Sequence, residues 1–71
     1  MTTIIRETRE RLGLDRGEFA RAANLNQAQI SRLETGSDKA GPSIRGRVSE
    51  ALQQPTEALF DADGWPLPSE S

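Results

Sequence analysis

The stretch Leu14–Gly36 reads LDRGEFARAANLNQAQISRLETG. It holds two short helical patterns, Arg16 to Ala23 and Gln27 to Glu34, joined by Asn24-Leu25-Asn26. Phe19, Ala23, Ile30 and Leu33 recur at helical spacing and turn inward, and Leu25 plugs the turn. Ala20 stands where the two helices cross, which calls for a small side chain. Asn24 stands where the chain must bend sharply, and Asn tolerates left-handed backbone better than most residues. Asp15 with Glu18, and Asn26 with Gln29, have the spacing of capping boxes. A capped helix, a tight turn and a second capped helix make a helix-turn-helix unit.

Working outward, the chain resembles the phage repressor and Cro type of helix-turn-helix protein, the Xre family. The residues that carry the resemblance are Arg9, Leu12-Gly13-Leu14, Phe19-Ala20, Asn24-Leu25, Ile30-Ser31-Arg32-Leu33-Glu34, Gly36 and Ala51-Leu52. It runs from about Ile5 to Phe60. Two departures stand out: Thr8 replaces the usual Leu, and the basic-Pro pair that commonly follows the Gly is absent. The resemblance implies an all-α, lambda-repressor-like domain of five short helices over residues 1–60. An acidic, irregular, Trp-containing C-terminal tail follows over 61–71. The helices are expected at about 4–12, 16–23, 27–34, 43–53 and 56–60.

Local signals agree with those bounds. Thr3 or Thr2 caps the first helix, and Gly13 ends it in left-handed backbone with Leu14 folding back. Ile5 and Leu12 share its inward face. Pro42 or Ser43 opens the fourth helix. Ile44, Val48, Ala51 and Leu52 form its core face. Pro55 opens the fifth, with Ala58 and Leu59 inward. Asp63-Gly64 marks a turn in the tail. Trp65 either packs back on its own domain or joins a dimer interface. We assign Trp65 to the first role and the fifth helix to the dimer contact. The last three residues are expected to be disordered.

Site residues follow from the resemblance, position by position. The exposed side of the third helix is Gln27, Ala28, Gln29, Ser31 and Arg32, with no acid before Glu34. Gln suits adenine, Arg suits guanine and Ala meets a thymine methyl. The resemblance turns Gln27, Ala28 and Arg32 toward base edges in the major groove. It assigns Arg16, Gln29, Ser31, Lys39, Ser43 and Arg45 to the DNA backbone or its surroundings. It also implies a structural ion pair between Arg9 and Glu34. Read from residues alone, each feature has a plainer meaning. Arg9 is a solvated charge, Arg16 a partner of Asp15, and the third helix a solvated polar face.

The chain has 71 residues, enough for one small domain. It contains neither Cys nor His, which removes disulfides, thiol chemistry and the commonest general base and metal ligand. No metal site, cofactor or catalytic residue is implied, and an enzyme is not expected. No apolar run approaches the ~20 residues of a membrane helix, and the start lacks a signal peptide. A cytoplasmic, nucleoid-associated location is therefore expected. Net charge is −2, but all nine basic residues fall between Arg6 and Arg47, leaving residues 1–47 at +3 and 48–71 at −5.

The expected function is a sequence-specific regulator, a repressor, that binds double-stranded DNA as a homodimer and reads a near-palindromic operator. The alternative is a protein-interaction module of the same fold, an antitoxin or anti-repressor. It would grip a protein partner through the fifth helix and the tail.

Overall fold

Each end of each helix is set by a local device in the computed structural model, which describes residues 2–69. The helices are α1 (Ile4–Arg11), α2 (Arg16–Ala23), α3 (Gln27–Thr35), α4 (Pro42–Leu52) and α5 (Thr56–Leu59). Thr3 caps α1, its hydroxyl accepting from the Arg6 amide at 3.3 Å. The same hydroxyl donates to the Glu34 carbonyl at 2.9 Å, so one side chain opens α1 and satisfies an orphan acceptor near the end of α3. Gly13 (φ +75°) lets the chain leave α1, with the Leu14 amide folding back onto the Arg9 carbonyl. Asn24 and Gly36 end α2 and α3 in left-handed backbone. Gln53 ends α4 in the same way, at φ +57°.

The core is built from every helix. Ile5, Phe19, Ile30, Val48, Leu52 and Leu59 are fully buried, and Phe60 closes it from the end of α5. Ile44, Ala51 and Leu25 pack partly buried against it. Leu12 is a correction: it is 44% exposed. The inward stripe of α1 is Ile5, Thr8 and Arg9, and the helix stops before Leu12 can join it. Thr8 is buried in the inward place. α1, α4 and α5 stop one residue short of expectation, where a C-cap or an extended residue takes over, while α3 runs one residue further, to Thr35, and α4 opens one earlier, at Pro42.

The tail is ordered from Asp61 to Ser69. After α5, Phe60 is extended and pairs with Pro66, while Thr3 pairs with Pro68. The Ile4 amide donates to Leu67 and the Ser69 amide to Thr2, so the tail lies along the start of the chain. Ser69, expected to be disordered, is held by that bond. Glu70 and Ser71 lie outside the described residues. Between Asp61 and Trp65 the chain makes a tight hairpin, with the Asp61 carboxylate accepting from the Asp63 and Trp65 amides at 2.9 and 3.0 Å. Gly64 and Pro66 are buried. Side chains alternate along extended backbone, so Trp65 faces outward and is 42% exposed. The segment packs back on its own domain, but the indole does not bury. Leu59 and Phe60 are spent in the core, leaving α5 little apolar surface for a second copy.

Candidate nucleic-acid interface

Two reciprocal capping boxes fix α2 and α3. The Asp15 carboxylate accepts from the Glu18 amide at 2.8 Å, and the Glu18 carboxylate from the Asp15 amide at 2.9 Å. Asn26 and Gln29 repeat the pattern at 2.8 and 3.1 Å. Asn24 (φ 55°, ψ 47°) makes the turn between them, and the Leu25 amide reaches back to the Ala20 carbonyl at 2.9 Å. With Ile30 and Leu33 buried beneath it, α3 presents Gln27, Ala28, Ser31 and Arg32 to solvent.

α3 contributes no carboxylate to that face, because Glu34 points in; the acid that reaches it is Asp38 of the following loop, at Arg32. Glu34 is 3% exposed and pairs with Arg9, itself 7% exposed, at 2.5 Å (Nε to Oε2). The remaining Arg9 donors go to Glu34 Oε1 at 3.3 Å and to the Leu14 carbonyl at 2.7 Å. Arg16 shares the same carboxylate, its Nε 3.2 Å from Oε1, while half its side chain remains exposed. Arg16 therefore pairs with Glu34 and not with Asp15, whose carboxylate is spent on its cap. Two guanidiniums thus share one carboxylate beside the Asp15–Glu18 cap, and the exposed half of Arg16 is what the start of α2 offers to an anion.

The other expected site residues divide into exposed and committed. Lys39 and Ser43 are exposed, Lys39 in the α3–α4 loop and Ser43 in the first turn of α4. Arg32 is half-exposed and pairs with Asp38 at 3.4 Å. Gln29 holds its cap through its side-chain oxygen. Arg45 is half-buried and donates to the Ala40 carbonyl at 3.1 Å, so the structure uses it to hold the loop. Sequence reasoning missed the Arg32–Asp38 and Arg16–Glu34 pairs, which cross helix boundaries and follow no periodicity. It also missed Thr35, whose hydroxyl bonds the Ser31 and Arg32 carbonyls at 3.1 and 3.2 Å. A Thr in a helix's last turn is the only signal that could have found it. Among the described residues no group of acids is arranged to hold a metal ion, and no helix is long and apolar enough to cross a membrane.

A family model described as a helix-turn-helix domain matches residues 3–62. The chain belongs to that family. The matched span covers all five helices and stops inside the hairpin that follows Phe60. In comparisons with curated proteins and with solved structures, nothing matches. The helix-turn-helix domain is consistent with the phage-repressor type of resemblance carried by Phe19-Ala20 and Ile30–Glu34, and it supports DNA binding as the general activity.

Proposed function

We propose that this helix-turn-helix domain is a sequence-specific, double-stranded DNA-binding regulator, a repressor, that acts as a homodimer on a near-palindromic operator. The observation that carries the reading is the outer side of α3. It is exposed, capped and propped on Ile30 and Leu33, and α3 adds no carboxylate of its own to it because Glu34 is buried. In this reading Gln27, Ala28 and Arg32 meet base edges. Arg16, Ser31, Lys39 and Ser43 sit nearer the phosphates, which position the helix without reading sequence. Asp38 yields Arg32 to the DNA at little cost, since an exposed pair contributes only about 0–1 kcal/mol.

The test is binding to a selected operator at physiological salt, with Gln27→Ala and Arg32→Ala alongside. Each is expected to weaken the specific site by about 1–3 kcal/mol and to relax preference at one base pair. Equal binding by both variants and the parent would overturn the reading. One observation favours a second function. Trp65 stands 42% exposed beside Asp61 and Asp63, which suits a protein partner gripping the tail. In that case Trp65→Ala, and not Arg32→Ala, abolishes complex formation.

A further inference from the structure

We infer that Gly64 and Arg45 form a clamp on Ala40 that positions the α3–α4 loop, making the C-terminal hairpin a working part of the DNA-binding face. The inference rests on the function proposed above and assigns positioning residues to it.

Within the loop 37–41, Ala40 alone is buried. Both of its peptide groups are held from outside the loop. The Ala40 amide donates to the Gly64 carbonyl at 2.9 Å, and the Ala40 carbonyl accepts from Arg45 Nη1 at 3.1 Å. Gly64 sits at φ +95°, in backbone that L side chains rarely adopt. A Cβ there would overlap both the Ala40 carbonyl oxygen and the Arg45 guanidinium. Only glycine permits this approach. The hairpin is rigid on its own account, because the Asp61 carboxylate bonds the Asp63 and Trp65 amides.

The two residues before Ala40 belong to the proposed interface. Asp38 pairs with the Arg32 guanidinium and also accepts from the Lys39 amide at 3.1 Å. At the other end the loop is fixed by the Ser37 amide on the Arg32 carbonyl at 2.9 Å. Ala40 is thus the second anchor of a short span that carries Asp38 and Lys39. Moving it moves Asp38, which holds Arg32 before DNA is bound, and the cation offered to a phosphate. A tail residue far from α3 in sequence thereby sets the geometry of α3's own contacts.

The experiment uses the whole chain with Gly64→Ala and Arg45→Met, the second removing the donor while keeping the stem. Circular dichroism establishes folding. Operator binding is followed from 50 to 200 mM salt, alone and combined with Lys39→Ala. Both clamp variants are expected to bind about three- to tenfold more weakly, and the salt slope to drop by about one unit as one phosphate contact is lost. Lys39→Ala is expected to add nothing further in either background, because coupled sites are not additive. The Lys39 amide and Arg32 Nε signals in nitrogen-15 NMR shift in both variants. If Gly64→Ala does not fold, Arg45→Met decides by the same readouts. Variants that keep the parent's slope, with Lys39→Ala fully additive and those signals unmoved, overturn the clamp. A parent protein with no sequence preference overturns instead the function on which the clamp rests.

Discussion

At the scale of single residues, Glu34 separates what holds the fold from what meets the ligand. Its carboxylate is buried between Arg9 and Arg16, so Glu34→Ala strands the Arg9 charge in the interior. Breaking a buried pair costs about 3–5 kcal/mol. A domain of this size has a total stability of roughly 4–10 kcal/mol, so the variant is expected to lose a large part of it, read as a melting temperature lowered by more than about 12 °C in circular dichroism. Arg16→Ala leaves the buried pair intact and should cost at most about 1 kcal/mol. Arg32→Ala should leave stability within about 0.5 kcal/mol of the parent, while weakening operator binding. The partnership of Arg9 with Glu34 was legible through the family pattern. That Arg16 shares the carboxylate was not, because the sequence offered Asp15 as the nearer partner and a capping box had already claimed it.

The elements were the most legible part, since capping and periodicity are local. Asp15, Asn26, Gly13 and Gly36 mark helix ends by residue type, and α2 has the bounds expected of it. Removing the α3 cap with Asn26→Ala should cost about 1 kcal/mol by taking away the acceptor of the Gln29 amide, lowering the melting temperature by about 4–8 °C. Gln53 was not legible as a C-cap, since nothing about Gln announces left-handed backbone. Its φ of +57° carries a penalty of about 1–2 kcal/mol for an L side chain, against about 0.5–1 kcal/mol of extra chain entropy for glycine. Gln53→Gly should therefore raise the melting temperature by a few degrees, and a lower one would show that the Gln53 side chain contributes packing of its own. Leu12 and Trp65 were misread for a related reason. Apolar character alone does not say where a helix stops or which way an extended residue faces.

For the whole molecule, charge and tail belong together. The basic residues all lie in the first two thirds of the chain, and the acidic end folds back along the N-terminal arm and the α3–α4 loop. Such tertiary closures, Gly64 on Ala40 and Leu67 on Ile4, leave no periodic trace, which is why a pattern-based reading ends the domain near Phe60. With +3 on residues 1–47, a single copy should bind weakly. Operator affinity should depend on pairing of two copies and fall steeply between 50 and 200 mM salt, as phosphate contacts release counterions. The most direct test of the central claim, that α3 reads a duplex from an exposed side on which it carries no acid of its own, is selection of bound fragments from a random DNA pool. The account predicts enrichment of two related half-sites about 10 bp apart, with the enriched base changed when Arg32→Ala is used. No enrichment, or the same motif recovered with Arg32→Ala and Gln27→Ala, would contradict it.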